Sequence, residues 1–321
     1  MATKKKHHTP KEKSNFLNSN LIDGLLLAIP ILLIFGYIFL FQMEKSLNEY
    51  IIKFHVLDSK ISRPVASYPQ VINTYTPYLS ASSAIIIDDT SQVPIFEKNT
   101  NLRFSMASTT KIMTALVALE YFKDKDIIIV QNDRIEGAKV GFKKGEQFRF
   151  IDVLYGMLLP SGNDAAYAIA ENYPGGVKNF VVKMNEKART LHLYSTHYSD
   201  PAGLNDDGNY TTAKDLARLA SVALKNPRIK SAVATKERDI TSIDGKISYH
   251  LENLNKLLGY FGINGLKTGF TQGAGGVLVT SRVEDGRTYI LVVIKSEDRF
   301  IDTLNLITYM AGNIQLFTPK K

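Results

Sequence analysis

Ser108 and Lys111 stand three residues apart in Ala107-Ser108-Thr109-Thr110-Lys111-Ile112-Met113, at the start of an apolar run. If that run is a helix, positions i and i+3 share a face one turn apart, so a hydroxyl and an amine become neighbours by local geometry alone. A serine hydroxyl is a weak nucleophile until a base removes its proton, and an adjacent neutral amine can be that base. The pair alone carries little information, because a serine capping a helix with a solvated lysine in its first turn has the same spacing. Two further fragments change its meaning. Ser161-Gly162-Asn163 occupies a turn between two apolar-rich segments, where a loop can aim a hydroxyl and an amide into a cleft. Lys267-Thr268-Gly269 lies in Gly265 to Thr271, a candidate strand edge whose glycine allows close approach of a ligand to the backbone.

The elements that must position these fragments can be read from periodicity and turn chemistry. Ser83 to Asp88 and Val93 to Glu97 read as a hairpin, and the helix carrying Ser108 follows. Phe150 to Leu159 and Asp164 to Glu171 are helical segments broken by Pro160-Ser161-Gly162-Asn163, and Lys178 to Leu191 is amphipathic. Thr211 to Leu224 is a helix with threonine at its entry and Asp215 in its first turns. Gly276 to Ser281 and Thr288 to Lys295 are strands joined through Asp285-Gly286, and Asp298 to Met310 closes as a helix. Strands at both ends with helices between them indicate an α+β fold.

The 321 residues are 45% hydrophobic, enough for one large or two small globular domains. The formal net charge of +8 is partly concentrated at one end, where Lys4, Lys5, Lys6, Lys11 and Lys13 face only Glu12. That placement suits a cytoplasmic flank better than a nucleic-acid surface, and His7 and His8 within it read as solvated rather than metal-binding. With no cysteine, a disulfide framework, a thiolate nucleophile and a zinc-thiolate site are all excluded. Gly24 to Phe41 carries no charge over eighteen residues, just long enough to cross a bilayer, and Leu21 and Ile22 extend it. The lysines before it put the N-terminus in the cytoplasm and everything after Gln42 outside. A cleaved signal peptide is the competing reading, but Phe41-Gln42-Met43-Glu44-Lys45 offers no small-x-small cleavage site. We therefore expect a basic tail over 1–20, a transmembrane anchor over 21–42, a stalk and proline-marked linker over 43–78, and a folded domain over 79–321. Met43 to Leu57 has helical apolar spacing, and Pro64, Pro69 and Pro77 mark the linker.

In the order Ser-x-x-Lys, Ser-x-Asn, Lys-Thr-Gly, with Ser161 53 residues after Ser108 and Lys267 106 residues after Ser161, the three fragments become specific. This set, with Asp in the middle motif, marks class A β-lactamases and penicillin-binding proteins. The chain resembles the D-alanyl-D-alanine carboxypeptidases, low-molecular-mass penicillin-binding proteins of the serine peptidase type. The resemblance extends over Met106 to Glu120 (MASTTKIMTALVALE), Leu158 to Ala166 (LLPSGNDAA), Asp200 to Leu204 (DPAGL), Tyr210 to Ala220 (YTTAKDLARLA) and Gly265 to Thr271 (GLKTGFT), and covers roughly Leu79 to Met310. It implies a β-lactamase/transpeptidase-like fold, an antiparallel five-stranded sheet flanked by helices with a helical subdomain and the site at their junction.

By this resemblance Ser108 is the acyl-accepting nucleophile, Lys111 its general base and Ser161 the relay that protonates the leaving nitrogen. Asn163 binds the substrate amide, and Lys267 and Thr268 meet the terminal carboxylate and hold Ser161 in place. Gly269 permits close approach, and the backbone N–H groups of Ser108 and Phe270 form the oxyanion hole. Arg299 falls where a second carboxylate-binding arginine often stands in the family; a salt bridge to Asp298 or Asp302 is the alternative. Many relatives carry histidine or tyrosine where Phe270 stands, so altered substrate fit is expected there. The implied substrate is a peptidoglycan stem peptide ending in D-Ala-D-Ala, with β-lactams as covalent inhibitors and no metal or organic cofactor. A DD-endopeptidase would use the same residues. A β-lactamase would need a carboxylate to activate water, and no Glu-x-x-Leu-Asn stretch lies between Asn163 and Lys267. A non-catalytic wall-binding protein would have no need of Ser108, Lys111, Ser161, Asn163 and Lys267 together. His197 is expected to be structural. Asp206-Asp207-Gly208 reads as a polar turn rather than a calcium loop, and Gly273 to Gly276 lacks the strand-to-helix context of a phosphate loop.

Overall fold

The computed structural model describes residues 19–60, 67–72 and 75–318. The chain divides into two compact units, Met1–Pro64 and Val65–Lys321. The lysines and histidines of the basic tail up to Lys13, and Pro64 of the expected linker, lie outside the described residues.

The described residues of the first unit form one helix, α1 (Ser19–Lys60), so the expected anchor and the expected stalk helix fall in a single 42-residue element. No glycine or proline falls between Tyr37 and Lys60, which leaves nothing to end the helix where hydropathy drops. Pro30 to Lys53 is long and apolar enough to cross a membrane, with a mean hydropathy of 1.3 and none of it buried. At 1.5 Å per residue, its 24 residues exceed the roughly 30 Å hydrocarbon core.

The second unit begins earlier than the expected boundary at Leu79. Strand β1 (Tyr68–Val71) pairs antiparallel with β13 (Ile314–Phe317) near the end of the chain. Arg287 fixes the entry by donating to the Ser67 carbonyl at 2.8 Å and its hydroxyl at 2.9 Å. Pro69 signals a linker in the sequence, yet in a two-stranded ribbon its missing N–H is tolerated.

The central sheet has the order β10-β11-β12-β2-β3, antiparallel throughout. Its strands are β2 (Ser83–Asp88), β3 (Pro94–Lys98), β10 (Ile263–Thr271), β11 (Gly275–Glu284) and β12 (Arg287–Ser296). Strand β2, from the start of the domain, lies beside β12 from its end, so the terminal strands do meet around a helical middle. Both faces are covered, which is why β2 is an unbroken buried run rather than an alternating one. Ala84 and Ile86 pack toward Leu306, Ile307 and Met310 of α8 (Arg299–Met310). Ile85 and Ile87 face the larger core, with Ile112, Met113, Phe150, Phe180 and Leu216.

That larger core belongs to α2 (Lys111–Tyr121), α3 (Phe150–Leu158), α4 (Asn163–Glu171), α5 (Gly176–Thr190), α6 (Ala213–Leu224) and α7 (Pro227–Val233). Three small ribbons knit this middle together: β4 (Phe104–Ser105) with β7 (Tyr210–Thr211), β5 (Ile127–Ile129) with β6 (Gln147–Arg149), and β8 (Glu237–Thr241) with β9 (Ser248–Glu252). Caps agree with the chemistry of their residues. The Thr212 hydroxyl accepts from Asp215 N at the start of α6, and the Asp298 carboxylate accepts from Phe300 N and Ile301 N at the start of α8. The expected α+β architecture, five-stranded sheet included, is therefore what the chain adopts.

Candidate active site

Ser108 is not on the α-helix but on a 3₁₀ turn, Ala107–Thr110, immediately before α2. In a 3₁₀ turn, residues i and i+3 eclipse, so the turn brings Ser108 over Lys111 more directly than an α-helix would. The turn is entered through Ala107 at φ 47° and tightened by the Thr109 hydroxyl, which donates to the Met106 carbonyl at 2.6 Å. Two glycines let other segments reach it. A side chain at Gly203 (φ 82°) would collide with the Ala107 carbonyl oxygen, and a Cβ at Gly269 would stand 3.1 Å from Ser108 N. The edge strand β10 and the Asp200–Leu204 segment thus both press on the nucleophile's backbone.

Lys111 is wholly buried, and its Nζ makes three contacts: Ser108 Oγ at 2.9 Å, Asn163 Oδ1 at 2.7 Å and the Ala202 carbonyl at 2.8 Å. Burial lowers its pKa to about 7, against the opposing charges of Asp200 and Asp164. Two of the three partners can only accept. Ala202 offers a carbonyl, and Asn163 presents its oxygen because its Nδ2 is committed to the Glu136 carbonyl at 2.7 Å. A neutral amine has two N–H bonds and one lone pair. With both N–H bonds taken, the lone pair faces Ser108 Oγ, which can donate to it. The same contacts survive if the proton moves onto Lys111, so proton transfer from Ser108 needs no rearrangement.

Two carboxylates outside the expected site residues fold this arrangement. Asp200 accepts from Ala202 N (2.8 Å), Gly203 N (2.6 Å), Leu204 N (3.1 Å), Asn205 N (3.0 Å) and Asn209 Nδ2 (2.5 Å). Burial works against its charge, yet the donors from Asn205, Ala202, Leu204 and Asn209 hold its carboxyl below the usual range. The resulting turn aims the Ala202 carbonyl at Lys111. Asp164 likewise gathers Val140 N (3.0 Å), Gly141 N (2.8 Å) and Phe142 N (3.1 Å). It thereby holds the loop whose Ala138 and Glu136 carbonyls bind Asn163. Both aspartates sit inside the quoted segments DPAGL and SGND, which is the signal that could have marked them.

Ser161 lies in the bend between α3 and α4, 2% exposed and at φ 66°, a region sparsely populated by residues other than glycine. Its buried Oγ has no hydrogen-bond partner among the described residues. Lys267, on β10, is also buried and donates to the Thr268 carbonyl at 3.0 Å. Burial holds its pKa well below the ordinary value, with further lowering from Lys111 and Arg299. No hydrogen bond joins Lys267 or Thr268 to Ser161 among the described residues, so the expected support of Ser161 is not made through one. Thr268 is buried and Phe270 is 65% exposed.

Arg299 opens α8 half-buried, with its guanidinium 4.9 Å over the Phe300 ring and a buried Nε lacking a partner. The salt bridge weighed as its alternative role is not formed among the described residues. Asp298 caps α8, and Asp302 is engaged by Ser80, Ala81 and Ser296. His197 is structural in its contacts: its Nδ1 meets the Gly208 carbonyl at 2.8 Å and its ring stacks on Tyr210. Gly273 to Gly276 belongs to the turn joining β10 and β11 and to the start of β11.

Comparison with known proteins gives a consistent answer. The profile of the D-alanyl-D-alanine carboxypeptidase family matches residues 70–298. The chain is 34% identical over 223 residues to the D-alanyl-D-alanine carboxypeptidase DacF of Bacillus subtilis, covering 67% of this chain and 57% of that protein. It is 33% identical to a D-alanyl-D-alanine carboxypeptidase of Streptomyces sp. strain K15 (68% and 82% covered). It is 32% identical to a D-alanyl-D-alanine endopeptidase of Pseudomonas aeruginosa (69% and 73% covered). The chain therefore spans little more than half the length of the Bacillus relative. Among solved structures, the Streptomyces K15 DD-transpeptidase superposes with a TM-score of 0.70 at 31% identity, over 74% of this chain and 98% of that one. A penicillin-binding protein homologue from Mycobacterium tuberculosis gives 0.70 at 29% identity, over 76% and 96%. By profile, by identity and by fold, the chain belongs to the D-alanyl-D-alanine carboxypeptidase family.

Proposed function

We propose that this chain is a membrane-anchored serine DD-carboxypeptidase that removes the terminal D-alanine from peptidoglycan stem peptides outside the cytoplasm. The observation that carries the reading is the buried Lys111 amine, with a pKa near 7 and 2.9 Å from Ser108 Oγ, its other two contacts being acceptors. In the reaction, Ser108 Oγ attacks the carbonyl of the penultimate D-alanine as its proton passes to Lys111. The backbone N–H groups of Ser108 and Phe270 receive the negative oxygen, and Gly269 keeps that pocket close to the strand. Ser161 relays the proton to the departing nitrogen. Asn163 binds the substrate amide, and Lys267, Thr268 and Arg299 take the terminal carboxylate. Water then cleaves the acyl-enzyme ester.

The Ser161 Oγ and the Arg299 Nε, both buried and without a hydrogen-bond partner among the described residues, support these roles, since a substrate could supply the partner. The exposed Phe270 ring is read as a surface for the substrate or inhibitor side chain. Anchorage through residues 21–42 as a single span, with the N-terminus cytoplasmic, rests on the apolar helix and the lysines before it. The folded domain of residues 79–321, extended back to Val65, would carry the peptidase activity. A DD-endopeptidase is the second reading, favoured by the Pseudomonas relative of that name. The test is release of D-alanine from a synthetic stem pentapeptide and from a cross-linked dimer. We expect pentapeptide release that Ser108→Ala abolishes. Release that persists in Ser108→Ala would overturn the proposal, and cleavage of the dimer alone would favour the second reading.

A further inference from the structure

Asp206 occupies a place that the reaction described above does not use. It lies five residues after Pro201, in the stretch that the sequence marks only as a polar turn. Its Oδ1 accepts from the Thr271 hydroxyl at 2.6 Å, and its Oδ2 accepts from Gly273 N at 3.2 Å. The Asp206 carbonyl accepts from the Ser105 hydroxyl at 2.5 Å. Thr271 Oγ also accepts from Ala274 N at 3.0 Å, which fixes the rotamer that meets Asp206. Gly273 is needed for this approach, because a Cβ there would come within 2.7 Å of Asp206 Oδ2.

One residue therefore ties together two segments distant in sequence. Ser105 is three residues before Ser108, and Thr271 is one residue after Phe270. These segments flank the Ser108 and Phe270 backbone N–H groups, and the two backbones pass so closely there that a Cβ built on Gly269 would stand 3.1 Å from Ser108 N. Strand β10 is the edge of the sheet, so it has a ladder partner on one side only. On its other side, the link through Asp206 is one of the contacts that sets its distance from the 3₁₀ turn. We propose that Asp206 is a positioning residue: through Thr271 and Ser105 it sets the spacing of the two oxyanion-hole donors. The inference rests on the peptidase reading above.

The test uses the full chain in detergent micelles and measures the second-order rate of acylation by a fluorescent penicillin. A matched ester and thionoester are then compared as acyl donors. A hole spaced for oxygen discriminates against the larger, weaker-accepting sulfur, and a loosened hole loses that discrimination. Removing one oxyanion donor outright slows such enzymes about 10²- to 10³-fold, so misplacing one through Asp206→Ala is expected to slow acylation roughly 10- to 100-fold. The ester-to-thionoester rate ratio should shrink with it, while KM stays within about twofold. Thr271→Val should reproduce the loss and Thr271→Ser should retain activity. The double variant Asp206→Ala/Thr271→Val should be no slower than either alone, as expected for two residues acting through one contact. The Thr271 pair carries the test if Asp206→Ala does not fold. Wild-type acylation in Asp206→Ala, or equal slowing of ester and thionoester, would overturn the positioning role of Asp206 alone. No Ser108 adduct even in the wild-type protein would overturn both that role and the peptidase reading beneath it.

Discussion

The pH dependence of acylation offers the sharpest test of the Lys111 assignment. Only the neutral amine can accept the Ser108 proton, so the rate follows the deprotonated fraction of Lys111. With a pKa of about 7 instead of the ordinary 10.5, roughly a tenth of the amine is neutral at pH 6, half at pH 7 and nine-tenths at pH 8. Acylation by penicillin should therefore rise about tenfold from pH 6 to pH 8 and level off above. An unperturbed lysine would instead give about a hundredfold rise over that interval, with no plateau until beyond pH 10. The cause of the shift is burial, opposed by Asp200 and Asp164, so the plateau reports directly on the dry environment of Nζ. Lys111→Arg supplies the matching perturbation, because a guanidinium stays charged at every pH that the protein tolerates. Losing the base should cost about 10²- to 10⁴-fold in acylation rate. Stopped-flow fluorescence with a reporter penicillin across pH 5.5 to 10 measures both. A rate that keeps climbing log-linearly above pH 8, or a Lys111→Arg variant within tenfold of wild type, would refute the reasoning.

Further expectations concern other parts of the site. Ser161→Ala removes a hydroxyl that makes no hydrogen bond among the described residues, so its melting temperature should hardly move while kcat/KM for the peptide falls about 10²-fold or more. Asp200→Ala leaves four backbone N–H groups without their acceptor and takes from the Asn209 amide one of its two acceptors. At about 1–3 kcal/mol for each buried donor left unpaired, thermal unfolding should show a large loss of stability along with activity. Gly203→Ala puts a methyl group into the Ala107 carbonyl at a backbone angle that disfavours side chains, and should lower both melting temperature and acylation rate.

The fold was largely legible where periodicity and turn chemistry agreed. The hairpin at Asp285-Gly286, the Thr212 and Asp298 caps and the helices around Pro160 to Asn163 lie within a few residues of their expected bounds. Ribbon β8–β9 escaped because Glu237-Arg238-Asp239-Ile240-Thr241 is polar on its exposed face and carries one buried apolar residue, too few to set a period. Strand β1 escaped because Pro69 mimics a linker. Ser108 and Lys111 were neighbours on local grounds whether the turn was α or 3₁₀. The approach of the strand carrying Lys267 to the Ser108 turn, where a Cβ on Gly269 would stand 3.1 Å from Ser108 N, was not legible from spacing and came only with the family resemblance. Asp200 folds its own turn by collecting the backbone donors of Ala202 to Asn205, whereas Asp164 and Asp206 reach donors 22 or more residues away, and nothing in their own neighbours announces which segments those are.

The central claim is that Ser108 is a nucleophile activated within a buried cluster of polar groups. Intact-protein mass spectrometry after incubation with penicillin, followed by peptide mapping, tests it most directly. The account predicts a single covalent adduct of one penicillin per chain, on the peptide containing Ser108 and absent from Ser108→Ala. An unmodified wild-type protein, or an adduct that persists in Ser108→Ala, would contradict it.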